Sequence, residues 1–547
     1  MTADAPDAAL ATLAAYVEER AIAQNRESWT RQVSDAVQPS DGSGTQESLA
    51  RHLGIYLELA RELEARPDAF VGVQTRIWRA VRAFFEPCRV SPVLLAQLAQ
   101  AMRTFEKMSR SYAASSGYGR GHRRWSCWFR VGNEPARRRS WSACVPVDPA
   151  LGEPFVRLVR LRNELSRELG HDDFFSYRLS SDGWEPARFW TFLDQIADLT
   201  DAPYRRAKAE VDQALAARWK RGFDAGASWQ YGDPWAQTAP PTLAGHPSRW
   251  IRGTPMSLVR RTLAGLGWSE RPFSYRTMRT GAWFPTAFCI HMNRGADIRI
   301  AAEIGDDFHS LGLLLHEAGH AAWFSHLDPR RPFLLRVPAH PLLSEGFSLL
   351  LQRLPFLPSW VRATRSGRLG ALGPRHERAI RRADWCDRLF FARWALALAR
   401  FEQALYRDPA DDLQARYWAL VERFQGLVPP VGREGCVDYL SKRHLVTHPA
   451  GYPYYLLGQC FASQLARRLA REQGNDTDPL DLDLTGRASM LGLPTAASLA
   501  LGGFLRDRLF APGADVDDPF AFAGSVCQEP FSVDAWATDL ERLETAF

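Results

Sequence analysis

The sequence predicts a mainly helical fold with a small β-sheet, and three observations carry that expectation. Apolar residues recur at helical spacing over most of the chain, as in LATLAAYVEERA and LGIYLELARELEA. Strand signals are sparse, the best being Ala287–Met292 and Asp297–Ala302, where β-branched and aromatic residues flank an Asn-Arg-Gly turn. A helical pattern centred on the pentapeptide HEAGH follows those strands.

Taken in order, Leu10 to Arg66 reads as amphipathic helices, and helices also dominate Pro92–Ser111, Pro154–Leu169, Glu185–Arg218, His376–Arg407 and Asp411–Phe424. The Gly/Pro-rich stretches Tyr231–Pro247 and Gly367–Pro374 read as loops. No repeat of solenoid period is present. At 547 residues the chain can bury a large core and divide into two or three lobes.

Hydrophobic residues at 46% and charged residues at 24% match ordinary globular proteins, which argues against a disordered or fibrous chain. A net charge of +6 is small for this length and gives no reason to expect a nucleic-acid or membrane partner. One local exception is Arg120–Arg139, with seven arginines against the single acid Glu134 and with Trp125, Trp128 and Phe129 interleaved. Such mixtures can bind nucleic acid. No nucleic-acid-binding pattern surrounds this one, so it reads as a solvated, partly packed lid or hairpin. The eight cysteines are scattered without a CxxC pair and read as reduced. The N-terminus lacks a basic n-region, and no apolar run reaches 18 residues, so a cytoplasmic location is expected.

HEAGH places His316 and His320 four apart, on one face of a helix and one turn from each other, so both imidazoles can reach one ion. Phe308, Leu311, Leu315, Ala318 and Ala322 form an apolar stripe on that helix, and Asp306 or Asp307 is its expected N-cap. Such a pentapeptide occurs by chance, and a third ligand decides the matter. A second amphipathic helix opens after Pro341, with Ser344 as the expected N-cap and Glu345 in its first turn, 25 positions after His320. Two histidines, a glutamate and an open fourth position make a catalytic zinc set. One Zn2+ per chain is therefore expected, with Glu317 beside His316 as the general base.

HEAGH followed by SEGFS resembles the helical gluzincins, which include angiotensin-converting enzyme, the thimet oligopeptidase and neurolysin group, oligopeptidase F and the carboxypeptidase Taq type. Asp297-Ile298-Arg299-Ile300, 19 residues before His316, is similar to the strand that precedes the zinc helix there. RNELSRELGHDDFFSYRL, GYPYYLLGQCFASQL and the closing LFAPGADVDDPFAFAGSVCQEPFSVDAWATDLERL are similar to further segments of the group. The likeness runs from about residue 155 to the end, so residues 151–547 are expected to form the catalytic region and 1–150 a helical region that could roof it. Where converting enzyme has an aspartate orienting a zinc histidine, this chain has Leu349.

The resemblance implies two helical halves flanking a deep substrate channel, and hydrolysis of short peptides by an oligopeptidase or a carboxypeptidase. It also implies a Tyr and a His from the C-terminal half as donors to the carbonyl oxygen. KRHLVTHPAGYPYY offers His444, His448, Tyr452, Tyr454 and Tyr455; the motif match favours Tyr455 over Tyr452, and His448 is favoured over His444. His291 resembles the histidine that approaches substrate from the strand, and an edge strand there could pair with an extended peptide. Two other readings stand beside this one: a peptidase-like hydrolase maturing a specialised peptide or amide metabolite, and a non-catalytic zinc-binding scaffold.

Overall fold

The computed structural model describes residues 5–33, 43–116, 134–144, 148–219, 223–231, 233–240, 251, 253–268, 272–277, 287–302, 308–364, 372–474 and 495–546. The fold is mainly helical, with nineteen α-helices and one small sheet among the described residues. Helices α1 (Ala5–Val33), α2 (Ser43–Ala65) and α3 (Val73–Phe85) precede α4 (Pro92–Ser116) and α5 (Glu134–Cys144). Next come α6 (Gly152–Glu168), α7 (Phe174–Ser181), α8 (Pro186–Trp219) and α9 (Pro255–Gly265). The strands are β1 (Ser274–Thr277), β2 (Ala287–His291) and β3 (Ile298–Ala302). They lead into α10 (Phe308–Ser325), α11 (Pro341–Gln352), α12 (Pro358–Thr364), α13 (Pro374–Arg407), α14 (Leu413–Gln425) and the four-residue α15 (His444–Thr447). The described chain closes with α16 (Pro453–Glu472), α17 (Ala496–Phe504), α18 (Pro519–Cys527) and α19 (Asp534–Thr545).

The expected strand pair forms. β2 runs antiparallel to β3, with Cys289 opposite Ile300 and His291 opposite Ile298. The sequence did not signal β1, which pairs parallel to β3 on its other side and leaves β2 at an edge. One face of the sheet meets α10, and the other meets Trp29 of α1, whose ring is edge-on to Phe288 at 5.8 Å.

The histidine helix α10, the glutamate helix α11 and α16 pack in sequence through glycines. A Cβ on Gly319 would sit 2.7 Å from the Ser348 Cα, and one on Gly346 would lie 2.8 Å from the Gly458 carbonyl oxygen. Any larger residue would push the backbones apart, so the glycine within HEAGH is what lets α11 approach the two histidines. α11 starts differently from the expectation. His340 is the N-cap, its Nδ1 accepting from the Leu342 N–H at 3.1 Å, and Pro341 takes the first helical position. Ser344 is thus inside the helix, because proline pre-set for the first turn moves the start upstream. Asp306 and Asp307 lie outside the described residues.

Among the described residues buried apolar side chains form one large cluster from Val90 to Leu543, a second in which α1–α3 close over Phe333 and Leu334 of the α10–α11 connection, and a small third of Trp29, Met292 and Ala301. Polar clamps tie the same region to the body. Asn25 donates to the carbonyls of His291 and Met292 at 2.9 and 3.3 Å, and Arg294 to those of Phe333 and Leu334 at 3.1 and 3.3 Å. Of the arginine-rich segment only 134–139 is described; it opens α5, and there Arg137 is buried with its guanidinium 3.6 Å from the Trp219 ring centroid. Cys88, Cys289, Cys386, Cys436, Cys460 and Cys527 are free thiols. No described helix is long and apolar enough to cross a membrane.

Candidate metal centre

α10 and α11 bring three ligand atoms to one point. His316 Nε2 and His320 Nε2 are 3.2 Å apart, and the Glu345 carboxylate oxygens lie 3.3 Å from the first and 3.7 Å from the second. Tetrahedral ligands at ~2.0–2.2 Å from a zinc ion are themselves about 3.3–3.6 Å apart, so the spacing fits that ion. The donor chemistry fits too. Two imidazole nitrogens facing each other beside a carboxylate gain little from one another, and Oε2 of Glu345 is buried without a regular hydrogen bond. A divalent cation satisfies all three. This is the one group of three or more His, Cys, Asp or Glu side chains with metal-binding spacing among the described residues.

The hydrogen bonding behind the two histidines is unequal. Nδ1 of His320 meets the Ser344 hydroxyl at 2.7 Å, which fixes the ring with Nε2 turned to the ion. Ser344 is therefore a partner of a ligand and not a helix cap. Gln352 interacts with His316 and favours its protonated form, although Nδ1 of that ring completes no hydrogen bond of regular geometry. Burial takes the His320 pKa down to about 4, which keeps its nitrogen free to ligate.

Glu317 is buried one residue from His316 and is not among the converging ligands. Burial pushes its carboxyl up to about 7; Glu345 adds to the rise, while His316 and the Cys289 backbone N–H oppose it. The edge strand β2 thus touches the candidate base directly. His291, at the end of β2, has Nε2 on the Gly295 carbonyl at 2.9 Å and stacks on Phe324, whose ring stacks in turn on His320.

The three tyrosines separate by what their hydroxyls do. Tyr454 donates to Asp182 at 2.6 Å. Tyr452 accepts from the Trp394 indole at 2.8 Å and reaches Gln237 Oε1 at 3.1 Å. Tyr455 makes no side-chain hydrogen bond among the described residues; its ring lies 6.4 Å from that of His316, and Glu345 and Glu317 both act on its hydroxyl. His444 packs edge-on against Tyr452 and Tyr455 at 5.1 and 6.1 Å, and 6.1 Å from His448. His448 is solvent-exposed and lies within electrostatic reach of Glu345. His444, Tyr452 and Tyr455 therefore form one ring cluster, with Tyr455 beside His316.

Sequence reasoning missed Lys442. Its ammonium is buried, 2.9 Å from Gln237 Oε1 and within 4.5, 4.8 and 5.6 Å of the Trp235, Tyr452 and Trp394 ring centroids. No carboxylate lies within ion-pair distance of it among the described residues, and burial brings its pKa down to about 7 against the pull of Asp233. The signal was present two residues before His444, but a lone lysine says nothing until the loop at 233–238 is folded around it. Asp233 builds that loop by accepting from the N–H groups of Trp235, Gln237 and Thr238.

No protein-family model matches this chain, and no curated protein matches it either.

Proposed function

We propose that this protein is a zinc-dependent metallopeptidase of the gluzincin kind, hydrolysing short peptides with one zinc per chain. The observation that carries the reading is the convergence of His316, His320 and Glu345 at zinc-ligand spacing with a buried, non-ligating Glu317 beside them. A bound zinc would supply Lewis-acid polarisation of a carbonyl oxygen and a lowered pKa for water. Glu317 takes the proton from the attacking water and hands it to the leaving amine. A scaffold would have no use for that carboxylate. Tyr455 donates to the carbonyl oxygen as it gains negative charge, a contribution of about 2.7–4 kcal/mol for one such donor, with His448 as the second group on that side. The outward edge of β2 supports an extended peptide, aligned by backbone hydrogen bonds.

Lys442 refines the substrate class. A buried ammonium without a carboxylate partner, flanked by an amide and a hydroxyl, suits the free C-terminal carboxylate of a peptide. That favours carboxypeptidase-like action over cleavage remote from the ends. The test is metal analysis of protein purified without chelator, followed by mass spectrometry of matched peptides with free and amidated C-termini. One zinc per chain and faster cleavage of the free acids are expected. Absence of zinc both as purified and after zinc addition, or no cleavage of either peptide set, overturns the reading.

A further inference from the structure

The stretch from Lys442 to Tyr455 carries His448 and Tyr455, which come near Glu345 and His316, yet before α16 begins at Pro453 its only helix is the four-residue α15. Such a backbone does not hold its side chains by itself, so their placement must be imposed by neighbours.

Between His448 and Gly451 the chain turns sharply, with the Gly451 N–H donating to the His448 carbonyl at 3.1 Å. Pro449 and Ala450 form the middle of that turn, and Ala450 has φ +60°. Proline followed by a residue at positive φ is the type II pattern, whose third position favours glycine or asparagine. For alanine the left-handed conformation costs roughly 1–2 kcal/mol. The Ala450 N–H is not used inside the turn. It donates to Glu402 Oε1 at 2.6 Å, from a carboxyl on α13 that is 1% exposed. Upstream on the same stretch, Arg162 of α6 donates to the Leu445 and Val446 carbonyls at 3.1 and 2.7 Å, and its guanidinium is itself held by the Tyr406 hydroxyl at 3.0 Å.

We propose that Glu402 and Arg162 are positioning residues that clamp the stretch from Leu445 to Gly451 at two points, Arg162 at the α15 carbonyls and Glu402 at the strained turn, and so set the placement of His448 and of the start of α16 with Tyr455 against the metal ligands. The kinetic part of this inference rests on the proposed function; the placement can be read without turnover. Burial pushes the Glu402 carboxyl up to about 8, opposed by the Ala450 N–H and by the charges of Arg162 and Arg178. At neutral pH its protonated form prevails, and a carboxamide is a close mimic of it.

Three substitutions test the clamp: Glu402→Leu removes the acceptor, Glu402→Gln keeps a carbonyl oxygen, and Ala450→Gly removes the strain that the acceptor offsets. The measurements are kcat and KM on a peptide, zinc content, and amide hydrogen exchange across residues 444–455. Glu402→Leu should lose exchange protection there and lose at least ~10-fold in kcat, since small misplacements of catalytic groups cost up to ~10²-fold, with zinc and KM little changed. Glu402→Gln should stay near wild type, and adding Ala450→Gly to Glu402→Leu should restore both protection and kcat. Unchanged protection in Glu402→Leu, or a defect that Ala450→Gly leaves untouched, overturns the clamp. Should Glu402→Leu fail to fold, Arg162→Lys keeps the charge but loses the two-carbonyl fork, and full protection in that variant overturns the proposal equally. A wild-type protein inactive on all peptides would remove the proposed function, while the exchange result would still decide the clamp.

Discussion

His316, His320 and Glu345 stand on two helices that meet through Gly319, whereas His444, His448 and Tyr452 hang on a segment with one turn of helix before α16, and Tyr455 follows directly in the first turn of α16. The first group is placed by regular backbone: a four-residue step on α10 sets two ligands, and close helix packing brings the third. The second is placed by side chains from α6 and α13 and by the loop at 233–238. A cation needs ligands fixed to within a few tenths of an ångström, and regular helices give that at little cost. Donors to a substrate must fit a group that arrives and leaves, and a segment held from outside can be set independently of the metal.

The largest expected effect probes the helical region. Glu317→Gln keeps all three ligands and nearly the same volume but removes the proton acceptor. Zinc content should be unchanged, and turnover should fall by ~10²–10⁴-fold, the usual range for general acid–base catalysis. Near-normal kcat with zinc still bound would move the base elsewhere and dissolve the contrast between the two regions.

Tyr455→Phe comes next and probes the other side. Loss of one donor to the developing oxyanion should cost ~10²–10³-fold in kcat with metal untouched. Tyr454→Phe should instead lower stability, because it removes the 2.6 Å hydrogen bond to the Asp182 carboxylate and leaves it with the longer Arg178 pair at 3.4 Å, and should leave kcat close to wild type. If Tyr455→Phe is silent and Tyr452→Phe is not, the roles of the two tyrosines are exchanged.

The two regions also differ in how much the sequence discloses. Helical periodicity, the strand pair and the ligand spacing are local patterns, so the mainly helical fold and the His316, His320 and Glu345 constellation were legible. β1 was not, because a four-residue parallel strand is defined by its partner and not by its own residues. Ser344 was misread as a cap because Ser near a helix start fits that role. Only the approach of α11 to α10 reveals that its hydroxyl serves His320. Lys442 and Glu402 carry no local signature at all, since their meaning comes from residues about 200 positions away and about 50 positions away respectively.

Lys442 gives a prediction with a pH sign. In the proposed role it would bind a carboxylate only when protonated, and burial has brought its pKa down to about 7. KM for free-acid peptides should therefore be lowest below about pH 7 and rise above it, while amidated peptides show no such rise. Lys442→Met should raise KM for free acids by roughly 10–150-fold, the worth of a charged hydrogen bond at 1.5–3 kcal/mol, and abolish the pH dependence. Equal KM values for both peptide forms in the wild type would remove the carboxylate role.

Ser344→Ala should have the smallest effect, and it sharpens the comparison most. The Ser344 hydroxyl meets Nδ1 of His320 at 2.7 Å, and with Nδ1–H donating to it Nε2 would present its lone pair to the ion. Without it the neutral ring can adopt the other tautomer or rotate, and both states must be reversed on binding. Outer hydrogen bonds to ligands are worth ~10–100-fold in metal affinity. The lower end applies here, because His316 sits in place with no regular hydrogen bond at its own Nδ1, which means that packing between α10 and α11 does most of the orienting. Competition with a chelator should therefore show zinc held about tenfold more weakly, and kcat at saturating zinc should stay near wild type. A loss far beyond that range would mean that the helices do not orient the ligands unaided, and that the metal centre depends on single side chains as much as the Lys442–Tyr455 segment does.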